Sequence, residues 1–118
     1  MRPDDLRHMA LGIDGAAEGA HMAHPDFRAN GKIFATLHVD LIWGMVKLNP
    51  DQQRSFVREN PAAFVPENGA WGRAGCTKVR LDSVDEDALG EAITLAWQNT
   101  ARKSASARSK PKRTTKRK

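Results

Sequence analysis

The stretch HMAHPDF at residues 21–27 sets His21 three residues before His24, with Asp26 two residues further on. Imidazole and carboxylate are ligands for a divalent metal, and a mononuclear site needs three or four such donors. His-x-x-His converges on one side only in a helix, and Pro25 argues against a helix here. In an extended strand, residues three apart point to opposite faces. His8, His38 and Cys76 are further donors, but no spacing joins them to the pair. The stretch reads as a bend ordered by histidine hydrogen bonds, with no metal and no other cofactor. Cys76, the sole cysteine, stands beside Thr77 and near Arg73 and Lys78. Neighbouring cations lower a thiol's pKa and make it nucleophilic, whereas a lone cysteine at a strand start is more often inert filler. The chain has no G-x-S-x-G, H-E-x-x-H, P-loop or dinucleotide fingerprint, and no tyrosine to act as acid or base. No catalytic residue is expected, and the reading is of a non-enzyme.

The elements that must position these residues follow from periodicity and turn chemistry. Residues 4–13 predict a helix capped by Asp4, with Leu6, Met9, Ala10 and Ile13 on one stripe and Gly12 and Gly15 at its end. Residues 18–29 read as extended, broken by Pro25. Asn30-Gly31 supplies two residues that tolerate positive φ, as a type I′ hairpin turn requires. Lys32 to His38 predicts a strand, with Ile33, Ala35 and Leu37 on one face and Phe34, Thr36 and His38 on the other. LIWGMVKL, residues 41–48, is almost wholly apolar and predicts a central strand. Asn49 caps a second helix, with Pro50 at its first position, Phe56 and Val57 as its core anchors, and Pro61 at its close. Lys78, Arg80 and Asp82 alternate with Val79 and Leu81 along a later strand. Ser83 and Glu86 have capping-box spacing ahead of a last helix, where Leu89, Ala92, Ile93, Ala96 and Trp97 form one apolar stripe. Short connections between strands predict an α+β domain, an antiparallel sheet with packed helices.

Charge divides the chain. Residues 1–101 hold all fourteen Asp and Glu against ten Lys and Arg, a net −4. Residues 102–118 hold the other nine cations and no acid: Arg102, Lys103, Arg108, Lys110, Lys112, Arg113, Lys116, Arg117 and Lys118. That composition predicts a domain over 1–101 and a disordered basic tail over 102–118. A polyanion is the natural partner of such a tail. If all nine charges engaged duplex DNA, binding would fall with salt at a log–log slope of about −8, an upper bound. An import signal, an acidic-protein or RNA partner, or a solubility extension are rival readings of the same residues. The longest apolar run, LIWGMV, is far too short to span a membrane. The first twelve residues carry two acids and no apolar core, unlike a signal peptide. One cysteine suits a reducing compartment. A cytoplasmic, nucleoid-associated protein is the expectation.

Five motifs in order, HPDFRANGKIFATL, WGMVKL, NPDQQ, AWGRAG and LAWQNTA, resemble the MmcQ/YjbR family across roughly residues 3–101. The resemblance implies an α-β-β-β-α-β-β-α fold, likened to secretion chaperones, and a proposed double-wing DNA-binding motif in which sheet and turns meet the duplex. It implies no metal and says nothing of the basic tail. If the hairpins are wings, Arg28 and Lys32 beside the Asn-Gly turn, and Arg73, Lys78 and Arg80 later on, are the phosphate contacts. An ordinary solvated face is the competing reading, which the domain's net −4 favours. Trp43-Gly44 and Trp71-Gly72-Arg73 could present rings for base stacking; Trp43 and Trp97 read as core, and Trp71 as a loop residue open to either role. The expected function is largely sequence-nonspecific DNA binding, to double strands, with the tail on phosphates. The alternative is a protein- or ligand-interaction module that the tail tethers to nucleic acid.

Overall fold

The computed structural model describes the chain except Met22, Ala23, Val39, Leu41 and residues 110–118; of His21 and residues 101–109 it describes the backbone alone. Four helices and six strands follow one another as α1 (Pro3–Leu11), β1 (Ala16–His21), β2 (His24–Ala29), β3 (Lys32–Leu37), β4 (Trp43–Lys47), α2 (Pro50–Glu59), β5 (Phe64–Pro66), α3 (Gly69–Arg73), β6 (Cys76–Arg80) and α4 (Glu86–Ser109). The strands form one antiparallel sheet in the order β1-β2-β3-β4-β6-β5. The α+β class is as expected, and β4 is central as its apolar sequence predicts. The order carries one strand and one short helix more than α-β-β-β-α-β-β-α.

The added strand comes from residues 16–29, which form a hairpin instead of one broken extended run. Ala16 pairs with Ala29, and His21 lies directly across from His24. The two histidines therefore belong to different strands, and the opposite-face rule, which holds within one strand, does not apply to them. His21's side chain lies outside the described residues. The second hairpin is as predicted: Asn30 and Gly31 have φ of 55° and 77°, and Ala29 faces Lys32 across the turn.

Between the two strands of that hairpin the register shifts. Phe27 opposes Ala35 while Arg28 opposes Ile33, so Phe34 is a bulged residue with no partner of its own. A bulge breaks the alternation of side chains. Phe34 and Ala35 are both fully buried, while Ile33 is only half-buried. The expected pairing of Ile33 with Ala35 and Leu37 is thus overturned: Ile33 shares the open face with Thr36, and Phe34 joins the core.

Helices α1 and α4 pack on one face of the sheet, and α2 packs on β5 and β6. The core between them includes Leu6, Phe27, Phe34, Leu37, Val46, Val79, Leu81, Leu89 and Ile93, each at most 1% exposed. Fully burying a side chain of this kind contributes about 1.5–3 kcal/mol. Caps differ in detail from the sequence reading. Asp5, not Asp4, accepts the Arg2 N–H at the start of α1 (2.7 Å), while Asp4 pairs with Arg7. Asn49 and Gln52 form the reciprocal box that starts α2, with Pro50 in its first turn. Asp85, not Ser83, accepts from Ala88 N–H ahead of α4. Within α2, Phe56 and Val57 only flank the core, and the buried side chain is Gln53.

Helix α4 runs on to Ser109, so residues 102–109, read as disordered, continue its backbone. The physical reason is local: Ala, Arg and Lys are strong helix formers, and no Gly or Pro interrupts 101–109. The residue before a proline is disfavoured in a helix, and Lys110-Pro111 follows directly. Of the nine tail cations, Lys110 through Lys118 lie outside the described residues, and Arg102, Lys103 and Arg108 are placed by backbone alone.

Candidate nucleic-acid interface

The sheet face turned away from α1 and α4 carries the polar chemistry of the domain. Register alone assigns it. Trp43, Met45 and Lys47 of β4 oppose Arg80, Lys78 and Cys76 of β6, and all six lie on this side, while Gly44 and Val46 turn to the core. Gly44 is needed there: a Cβ would stand 2.7 Å from Leu6 Cδ1 and 3.1 Å from the Thr36 carbonyl.

Trp43 therefore departs from its expected place in the core. Its ring lies half-buried on the open face, with Lys78 Nζ 5.2 Å and Arg80 Cζ 5.7 Å from its centroid. Both distances lie within cation–π range. Reading LIWGMVKL as uniformly apolar hid the two-residue alternation Trp43, Met45, Lys47 against Gly44, Val46, Leu48.

A groove of about 690 Å³ opens on this face, lined by residues including Thr36, His38, Met45, Lys47, Glu67 and Trp71. Past Lys47 and Trp71 it continues into a second cavity of about 690 Å³, bordered by Lys32, Asn49, Ala74 and, from α4, Asn99 and Thr100. His38 Nε2 stands 3.5 Å from Glu67 Oε2 across one wall. Asp40, at the rim, accepts the backbone N–H groups of Ile42 (2.9 Å) and Trp43 (3.3 Å). The Ile42 contact is the main reason its carboxyl is held below the usual carboxylate range.

The opposite wall is the segment from Glu67 to Arg73. Trp71 stands on the single-turn α3 and is 67% exposed, against 45% for Ile42 and 38% for Leu11, the other exposed large apolar residues described. Two features hold the backbone of this turn in place. Gly72 lies so close to the Glu67 backbone that a Cβ would meet the Glu67 carbonyl oxygen at 1.8 Å. Gln53, reaching from α2, donates its Nε2 to the carbonyls of Gly72 and Cys76, both at 3.0 Å. Lys47 Nζ lies 6.0 Å from the Trp71 ring centroid. The Lys47 carbonyl accepts from Asn99 Nδ2 (3.1 Å), which also donates to Gln52 Oε1 (2.8 Å), tying the groove rim to α4 and to the α2 cap.

The residues singled out from sequence scatter over this surface. Lys78 and Arg80 meet at Trp43. Arg80 also donates its Nε and Nη2 to Asp82 (2.7 and 3.3 Å), which draws the Asp82 carboxyl below its ordinary range. Arg28 lies on β2, beyond β3, and makes the same two-point pair with the fully buried Asp26 (2.8 and 3.1 Å) under Gly19, where a Cβ would crowd both side chains. Lys32 is exposed beside the hairpin tip, and Arg73 is exposed on α3. The five do not form one positive patch, because Asp26 and Asp82 offset two of them. His24 lines the groove with Cys76. Among the described residues no group of three or more His, Cys, Asp and Glu is arranged to hold a metal. Cys76 is buried, and burial pushes its thiol pKa up, against the activated thiol that nearby cations suggest. Sequence reading passed over Lys47, Glu67 and Gln53, and named His38 only as a spare metal donor; the alternation along β4 offered a signal for Lys47 alone.

Among curated proteins, none matches the chain. The crystal structure of Deinococcus radiodurans protein DR2400, which carries a DUF419 domain, superposes with a TM-score of 0.74 at 18% identity, over 86% of this chain and 79% of that one. At that identity the likeness concerns the fold. No described helix is long and apolar enough to cross a membrane. The YjbR family model matches residues 11–99, three quarters of the sequence and the whole of the sheet, and the chain is a member of the YjbR family.

Proposed function

We propose that this protein is a non-enzymatic nucleic-acid-binding protein with little sequence preference, double-stranded DNA being the expected partner of its basic segment. The observation that carries this reading is the path of α4. The helix borders the groove at Asn99 and Thr100 and runs without a break into the segment that holds nine cations and no acid. Phosphate contacts from that segment give affinity and orientation without base readout. Lys32, Lys47, Arg73 and Lys78 offer further positive charge on the domain, and the open Trp71 ring offers apolar contact. A cytoplasmic, nucleoid-associated location would follow from such binding. The test is a salt titration of duplex binding by the full chain and by a chain ending at Ala101. The full chain should show a log–log slope of several, up to about −8. A full chain that fails to bind at low salt overturns the reading.

A second reading has its own support. The guanidinium groups of Arg28 and Arg80 are both engaged by aspartates, and the domain is net acidic. On that reading the groove takes a protein segment or small ligand and the basic segment only tethers it to nucleic acid. A chain ending at Ala101 with no residual DNA affinity favours it.

A further inference from the structure

We propose that the groove between β4 and the Glu67–Trp71 segment receives one unpaired nucleobase together with its phosphate, stacked on Trp71; the proposal rests on the nucleic-acid reading above and names what its groove takes. Three features point to this ligand. The first is the exposed indole, carried on a turn whose backbone is tied to α2 through Gln53 and Gly72 and lies close on Glu67. An open ring on an anchored turn is free to stack, and every base has a π-face to offer it. The second is the wall formed by Glu67 and His38, 3.5 Å apart. A carboxylate accepts from the amino and imino groups of a base edge, as in recognition of the cytosine amino group. In a duplex the imino N–H and one amino hydrogen are spent on the complementary base, and both ring faces are covered by stacking neighbours, so a carboxylate beside an open indole suits a base without a partner. The third is Lys47, whose ammonium stands 6.0 Å from the indole centroid, a place from which it can meet the phosphate of a stacked nucleotide. The cavity lined by Glu67, Lys47 and Trp71, about 690 Å³, falls in the range of small-ligand sites. It suits a mononucleotide and is too small for the side of a duplex.

The same chemistry could arrive as a free mononucleotide or as a nucleotide within a single strand. The test uses the full chain with three probes: a mixed-sequence ten-nucleotide single strand, the same sequence as a duplex, and the four nucleoside monophosphates. Binding is read by calorimetry and by quenching of tryptophan fluorescence, for the native sequence, Trp71→Ala, Trp71→Phe and Glu67→Gln. Trp71 is exposed, so its replacement should leave the circular dichroism and melting temperature unchanged. Stacking on one ring predicts a loss of roughly 5- to 150-fold in single-strand affinity for Trp71→Ala, with partial rescue by Trp71→Phe. Glu67→Gln should change the ranking of the four bases. Duplex affinity should stay within twofold. Monophosphate binding that is equally sensitive to Trp71, with no gain from the strand, supports the site and assigns it to free nucleotides. Single-strand and duplex binding both indifferent to Trp71 overturns the base site and leaves the proposed function standing. Absence of binding to any nucleic acid overturns both.

Discussion

Gln53→Leu tests whether a side chain of α2 fixes the groove wall. The Gln53 amide nitrogen is a shared donor to the carbonyls of Gly72 and Cys76, each at 3.0 Å, and its side chain is buried. Leucine has similar volume and donates nothing. Each carbonyl keeps one other partner, Gly75 N–H for Gly72 and Glu67 N–H for Cys76, both at 3.0 Å. Neither oxygen is therefore stranded, and the loss is two ordinary hydrogen bonds at about 1 kcal/mol each. Urea unfolding should show a loss of about 2 kcal/mol with an unchanged m-value. For an ordered domain of this size that lowers Tm by roughly 8–16 °C. Gln53→Glu sharpens the test, since a carboxylate would face the two carbonyl oxygens. Its neutral form is favoured in the folded state, so its folded pKa is raised. Its stability should then be greatest below the ordinary glutamate pKa and fall as pH rises above it. Iodide quenching of Trp71 should rise in both variants if the clamp holds α3. A Leu variant within 0.5 kcal/mol of the native chain, or a Glu variant whose deficit ignores pH, refutes the assignment.

Other perturbations probe separate parts of the molecule. Gly75 has φ of +116°, and a Cβ there would stand 2.0 Å from the Leu48 carbonyl. Gly75→Ala should cost more than about 3 kcal/mol, by strain and clash together, and melting near that of the native chain would show the close approach to be dispensable. Asp26→Asn breaks a two-point pair whose carboxylate is fully buried but whose guanidinium is 41% exposed. The loss should be about 2 kcal/mol, below the 3–5 of a wholly buried pair, and calorimetry at neutral pH gives the number directly. Cys76 should alkylate with iodoacetamide at pH 7.5 at least tenfold more slowly in the native protein than in urea, because burial raises its pKa and blocks access. Equal rates would mean that the thiol is open.

Where one local rule acted alone, sequence was a sound guide. Asn30-Gly31 has little choice but a positive-φ turn, Asn49 and Pro50 mark a helix start, and the α4 stripe repeats long enough to be unmistakable. The first hairpin escaped because AAEGAH lacks the β-branched and aromatic residues that mark strands; it is a strand through its pairing with β2. Trp43 escaped because an apolar residue on an open face looks the same in sequence as one in the core, and only the Lys78 and Arg80 side chains across β6 distinguish them. The groove escaped almost entirely. Its walls come from β3, β4, β6 and the Glu67–Trp71 segment, and their meeting depends on strand order, which no spacing within the chain records. The helical course of residues 102–109 was masked by their charge, which argued for solvation but did not oppose a helix already begun.

The unpaired Phe34 gives β3 two phases of counting. From Ala35 onward odd positions belong to the core, while Ile33, also odd, belongs to the groove. Loss of Phe34 would merge the phases without turning anything over, because Ile33 and Ala35 already lie opposite the consecutive residues Arg28 and Phe27 and would simply become neighbours, each on its present face. The bulge is thus one residue of slack in the strand. What the extra residue supplies is a buried ring, so its removal would empty part of the core and leave the hairpin tip where it is. The side of the sheet on which Lys32 borders the groove is set by its pairing with β2, not by the number of residues in β3.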